Sequence, residues 1–121
     1  MALHNDLGRM GETLACQFLA KKGYTILHQN WRNGRNEVDI IAQFEQTLIF
    51  IEVKTRRSEF FGLPESFVSN TQKKAMAKLA EAYCALKNIN DAEIRYDIFA
   101  IILNKKQEKV LHFEDAFFPI V

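Results

Sequence analysis

The feature that most constrains this chain is a pair of short apolar runs that carry charges in their middle. Glu37–Ala42 (EVDIIA) and Thr47–Thr55 (TLIFIEVKT) are separated only by the turn Gln43–Gln46, which is the pattern of an antiparallel hairpin. Apolar strands rarely hold charges without a reason, since burying an unpaired charge costs several kcal/mol or shifts its protonation. Successive strand side chains point to opposite faces. Glu52 and Lys54 therefore share one face, while Ile49, Ile51 and Val53 share the other and can enter a core. If the two runs pair, Asp39 comes alongside Glu52.

The rest of the chain supplies the frame. Leu7, Met10, Leu14 and Phe18 recur at three- and four-residue steps and predict a helix face, with Asn5 or Asp6 able to cap its start and Gly23 its end. Gly8, Gly11 and Ala15 lie beside that face and would allow close backbone packing, and Glu12 falls on its edge. Tyr24–Asn30 reads as a first strand, Trp31–Asn36 as a turn around Gly34, and Arg57–Ser69, with Gly62 and Pro64, as a loop. A second helix is expected over Thr71–Leu86, with Met76, Leu79, Ala80, Tyr83 and Leu86 on its apolar face. Arg95–Leu103 predicts a strand buried on both sides, followed by a turn at Asn104–Gln107 and a last strand at Lys109–Phe113. The order helix, three strands, helix, two strands predicts one α/β domain over residues 1–121, a central mixed sheet of about five strands flanked by helices.

Charge and cysteine usage narrow the setting. A net charge of +1 is no signature of general nucleic-acid binding, yet Arg32 and Arg35 precede the acidic pair, Arg56 and Arg57 follow Lys54, and Lys73, Lys74 and Lys78 open the second helix. A local basic groove is compatible with a near-neutral whole. Cys16 and Cys84 show no metal-ligand spacing and read as small core residues of a reducing compartment. The first twenty residues lack a basic segment followed by an apolar run, and the longest apolar stretch, Ile98–Leu103, is strand-sized. No signal peptide or membrane span is expected, and a cytoplasmic location is.

Asp39, Glu52 and Lys54 are the candidate catalytic residues. Two carboxylates at the end of a sheet suit Mg²⁺ or Mn²⁺, hard cations that take oxygen ligands and keep several waters. A bound cation of this kind polarises phosphate and lowers the pKa of water, and a neighbouring lysine can orient that water or stabilise charge on phosphorus. Glu12 is a candidate third carboxylate. The plainer reading of the same residues is a solvated face with an ion pair of about 0–1 kcal/mol. Glu37 points the same way as Asp39, and either joins the site or pairs with Arg35 or Arg95. Arg95 and Asp97 read as a structural pair, and His4, His28 and His112 as ordinary residues without ligand spacing. Phe117 and Phe118 close the core or form a self-association patch.

Asp39 followed by Glu52-Val53-Lys54 resembles the PD-(D/E)xK pattern of restriction-endonuclease-like nucleases. More of the chain resembles the YraN-like family of small bacterial proteins, through Gly11-Glu12, Ala15, Phe18-Leu19, Gly23-Tyr24, Asn30, Arg32, Glu37–Ala42, Phe50–Arg56, Lys73 or Lys74, Ala82-Tyr83 and Arg95–Asp97. The resemblance implies a restriction-endonuclease-like fold and a Mg²⁺- or Mn²⁺-dependent endonuclease on DNA, with branched or repair intermediates as candidate substrates. Archaeal Holliday-junction resolvases are similar in setting a helix glutamate beside such a group, which implies metal ligands at Glu12, Asp39 and Glu52. Arg32, Arg56, Arg57, Lys73 and Lys74 are candidate phosphate contacts, although each also reads as an ordinary solubilising charge. Two departures stand out: Val38 replaces the proline of the superfamily pattern, and Asn36 replaces the family's usual glycine. A homodimer is expected if both strands of a duplex are cut. Two alternatives remain open: a catalytically silent nucleic-acid-binding module of the same fold, and a protein-interaction domain.

Overall fold

The computed structural model describes the backbone of residues 2–118 and the side chains of residues 6–118. Helix α1 (Ala2–Lys21) is followed by strands β1 (Thr25–Asn33), β2 (Asn36–Phe44) and β3 (Thr47–Arg56), helix α2 (Asn70–Leu86), and strands β4 (Glu93–Leu103) and β5 (Glu108–Phe113). The five strands form one sheet in the order β1-β2-β3-β4-β5. All neighbours are antiparallel except β3 and β4, which run parallel. Parallel neighbours need a long crossover, and here α2 provides it. The expected α/β architecture, a mixed sheet flanked by helices, is therefore the observed one.

The two faces of the sheet have separate cores. Ile40, Ile49, Ile51, Phe99 and Ile101 pack against Ala15 and Leu19 of α1. Val38, Leu48, Phe50, Tyr96 and Ile98 pack against Met76, Leu79 and Tyr83 of α2, and Phe117 closes this side. Phe118 stays exposed. Strand β4 is buried from Tyr96 to Leu103, as a strand covered on both faces must be.

Both helices pack along a line slightly different from the predicted one. The buried centre of α1 is Gly11, Ala15 and Leu19, and Met10 is 56% exposed. The reason is close approach: a Cβ on Gly11 would overlap the Thr55 side chain, so the small residues touch the sheet and the larger Leu7, Leu14 and Phe18 pack at the sides. Leu86, placed on the apolar face of α2 by periodicity, is exposed because it is the last helical residue and projects past the sheet. The start of α1 also differs, since Asn5 and Asp6 lie inside the helix rather than capping it. Its end is as expected: Gly23 adopts φ +91°, Tyr24 N–H reaches the Leu19 carbonyl and Gly23 N–H the Ala20 carbonyl, a Schellman stop. Helix α2 begins one residue early on a capping box between Ser69 and Gln72.

Trp31–Asn33, expected in a turn, belong to β1, and only Gly34-Arg35 separate Asn33 from its partner Asn36. Gly34 takes φ +63°. The glycine requirement is thus met two residues before Asn36, which pairs as an ordinary strand residue.

Candidate active site

The site is created by a parting of strands. The β2–β3 ladder runs from Phe44↔Thr47 to Ile40↔Ile51 and then ends. Beyond it β2 stays with β1, through Trp31↔Val38 to Asn33↔Asn36, while β3 stays with β4, through Glu52↔Ile98 to Arg56↔Ile102. Asp39 and Glu52 are the first residues of the two arms of this fork. The Asp39 carboxylate fills the place of the missing ladder bond, accepting the Val53 N–H at 2.8 Å. Beyond Glu52, Lys54 lies on the same face, with Nζ 3.5 Å from a Glu52 carboxylate oxygen. Across the fork Asn30, in β1, takes φ +52°. The contact of Gly11 with Thr55 brings the adjoining Glu12 to the same end of β3.

The fork gathers more negative charge than it neutralises. Burial first, and then the nearby Glu52, Glu12 and Glu37, push the Asp39 carboxyl up to about 8 against the lowering effect of the Val53 bond. Glu52 is also raised, by burial first and by Glu12 and Glu37, while Lys54 pulls the other way. Glu12 is raised by burial and by Glu37, with a side-chain hydrogen bond from Asn30 opposing. The causes are the ordinary ones: a carboxylate withdrawn from water, and like charges at short range.

This donor set fits a hard cation. It consists of carboxylate oxygens, and a cation between them would offset the like-charge repulsion that adds to burial in raising Asp39. Among the described residues no three histidine, cysteine or acidic side chains converge into a ready-made cage. Mg²⁺ needs only one or two carboxylates because it retains water, so the Asp39–Glu52 pair is sufficient and Glu12 is the candidate addition.

Comparison with known proteins follows the same residues. The profile described as "Uncharacterised protein family UPF0102" matches residues 11–101, from the glycine that seats α1 to near the end of β4. The chain belongs to this family. A UPF0102 protein of Flavobacterium psychrophilum is 48% identical over 118 residues, covering 98% of both chains. Those of Bacteroides thetaiotaomicron and Dictyoglomus thermophilum are 40% and 43% identical, covering at least 92% of each chain. Among solved structures, SfsA of Pyrococcus furiosus in complex with Ca²⁺ superposes with a TM-score of 0.39 at 14% identity, over 87% of this chain and 60% of that one. So distant a superposition transfers no chemistry.

The basic candidates of the UPF0102 chain are dispersed. Arg32 is exposed and bound to Glu37 at 3.2 Å, so Glu37 pairs with Arg32 rather than with Arg35 or Arg95. Arg56 lies 4.8 Å over the Phe60 ring and Arg57 is exposed, both beyond Lys54 at the open end of β3. Lys73 sits 5.7 Å over Phe117, and Lys74 faces solvent in the first turns of α2. Among the described residues no helix is long and apolar enough to cross a membrane.

Sequence reading also missed a polar network. Asp97 is entirely buried, and Arg95 binds both its oxygens at 2.9 and 2.8 Å, as the expected pair should. Unforeseen are His112, whose Nε2 lies 2.7 Å from Asp97, the Asp115 N–H at 2.9 Å, and the Tyr24 hydroxyl accepting from Arg95 at 2.7 Å. His112 is almost wholly enclosed, 4.3 Å from the Phe99 ring. Alternation alone carried a signal, since β5 places His112 opposite Phe99.

Proposed function

We propose that this UPF0102 protein is a Mg²⁺- or Mn²⁺-dependent endonuclease of restriction-endonuclease-like type that hydrolyses phosphodiester bonds in DNA, with branched or repair intermediates as its substrates. The observation that carries the reading is the fork: Asp39 and Glu52 begin its two arms, and Lys54 stands beside Glu52. Asp39 and Glu52 would hold the cation, with Glu12 able to add a ligand from α1. When bound, the ion polarises phosphate and makes water a better nucleophile. In hydrolysis a water oxygen bonds to phosphorus while the bond to the leaving sugar oxygen breaks. Lys54 supplies positive charge where the phosphate gathers negative charge. The backbone bond from Val53 fixes the Asp39 carboxylate on a rigid strand, which keeps the arrangement in place before substrate arrives.

Arg56, the last residue of β3, and Arg57, just after it, would be the phosphate contacts nearest in sequence, while Arg32, Lys73 and Lys74 would act from the margins of the site. A single fork cuts one strand at a time, so duplex cleavage calls for a homodimer. The free Cys16 and Cys84 suit the reducing cytoplasm.

The test incubates wild type, Asp39→Asn and Glu52→Gln with linear, single-stranded, flapped and four-way DNA in Mg²⁺, Mn²⁺ or EDTA, and reads products on a denaturing gel. Cuts by wild type that need metal and fall at least about 10²-fold in both variants are expected. Cuts that survive both substitutions would overturn the assignment. Metal-independent binding without any cut by wild type would favour the silent binding module of the same fold.

A further inference from the structure

Two neighbouring strands break their alternation at one place. On β2, Val38 packs on the α2 side of the sheet and Ile40 on the α1 side, although residues two apart in a strand should share a face. On β1, the His28 and Trp31 rings both meet Tyr83 of α2, at 5.4 and 5.3 Å, although residues three apart should face opposite ways. The residue between them with a left-handed backbone is Asn30, at φ +52°. Because Gln29 pairs with Ile40 and Trp31 with Val38, Asn30 stands opposite Asp39. The two slips are therefore one kink, shared by Asn30 and Asp39. Asparagine takes left-handed angles more readily than other residues with a side chain.

Glycine would serve the kink as well, so the asparagine side chain calls for its own account. It hydrogen-bonds Glu12, the half-buried carboxylate that α1 brings to this end of the sheet. Helix α1 is held close there: Gly11 presses on Thr55, whose hydroxyl is buried with no partner among the described residues, a loss that ordinary packing avoids. Asn30 thus links two candidate ligands, opposite Asp39 in the ladder and bonded to Glu12 through its amide. A neutral amide donor suits this place. It orients a carboxylate without cancelling its charge, and leaves the remaining lone pairs free for a cation.

We infer that Asn30 is a positioning residue of this site: its side-chain amide fixes the Glu12 carboxylate so that it completes, with Asp39 and Glu52, the oxygen set that takes a divalent cation. The inference rests on the cation reading of the fork and not on the bond that is cut.

The test uses the full chain and Mn²⁺ alone, with the free ion followed by electron paramagnetic resonance. Asn30→Gly keeps the left-handed backbone, which glycine adopts without strain, and removes only the amide. Its circular dichroism and metal-free melting should match wild type, while its Mn²⁺ Kd rises about tenfold or more, as loss of a group that orients a metal ligand does. In a Glu12→Ala background the same substitution should add nothing, because the carboxylate that the amide orients is gone. In the metal-free chain the NMR signals of the Asn30 side-chain amide should move in Glu12→Ala. An unchanged Kd in Asn30→Gly, a full further loss in the Glu12→Ala background, or amide signals indifferent to Glu12 would each overturn the inference. Metal-dependent cleavage by wild type together with any of these defeats the positioning role alone. Wild type that takes up no Mn²⁺ overturns it together with the metal-dependent reading. Mn²⁺ binding that depends on Asn30, without cleavage of any DNA, supports the inference and defeats only the nuclease reading.

Discussion

Asp39 and Asp97 occupy the same sheet on strands two apart, and the protein treats them oppositely. Asp97 is the more deeply buried, yet four donors meet it: Arg95 twice, His112 and the Asp115 N–H. Burial alone would raise its carboxyl, but these bonds outweigh that effect and hold it below the usual carboxylate range. Asp39 has one bond, from Val53, and burial together with three acidic neighbours pushes it up to about 8. The first carboxylate is satisfied by the fold. The second is left short of positive charge where β2 and β3 part, an arrangement common at functional sites. The difference separates a carboxylate that the fold satisfies from one that it leaves unsatisfied, without reference to any relative.

The comparison breaks most sharply in stability. Asp97→Ala should cost about 3–5 kcal/mol in chemical denaturation, because Arg95 and His112 would lose the buried charge they enclose, whereas Asp39→Asn should be neutral or stabilising in the absence of metal. Equal losses would mean that both groups are structural.

A smaller effect should appear with metal. Mn²⁺ at about a hundred times its Kd should stabilise wild type by about 2.7 kcal/mol and leave Asp39→Asn with Glu52→Gln unshifted in thermal melts. Equal shifts in both would place the ion elsewhere.

The pH dependence sharpens the contrast further. With its pKa raised from 3.8 to about 8, Asp39 keeps its proton in the folded chain after the unfolded chain has released it. The folded state binds more protons across that window, so the Asp39 contribution to stability declines as pH rises from about 4 to 8. Asp97 has the opposite sign, since its lowered pKa contributes stability above the ordinary carboxylate range that is lost as acid protonates it. Metal-free melts should therefore show a decline toward pH 8 that Asp39→Asn flattens. An unchanged slope would show that the fork does not repel charge as described.

The smallest effect is expected at Arg32. Its exposed pair with Glu37 is worth about 0–1 kcal/mol, so Arg32→Ala should barely move the melting temperature. A larger fall would give it a structural role that its exposure does not suggest.

How far the sequence could be read depended on the range of the physics involved. The nearness of Asp39 to Glu52 was legible because a short turn and a period of two fix which residues meet across a hairpin. The parting of β2 from β3 just at that pair was not, because nothing within either strand marks where a ladder stops. Glu12 was visible only as a residue on the edge of a helix face, and its position depends on Gly11 meeting Thr55 across the domain. The partners of Glu37 and His112 were missed for the same reason. Arg32 reaches Glu37 only because β1 continues through Trp31–Asn33, and His112 reaches Asp97 only through the β4–β5 register.

The sequence by itself determined the elements, their order, the alternation that sends Glu52 and Lys54 to one face, and the identity of the candidate oxygen ligands, all of which follow from backbone period and side-chain chemistry. Only the tertiary structure decided that the strands part at Asp39, that Gly11 rather than Met10 faces the sheet, and that Asp97 is met by four donors while Asp39 is met by one. Those outcomes depend on distances between residues far apart in the chain, and electrostatic free energy is set by such distances and by exclusion of water, which no local pattern records.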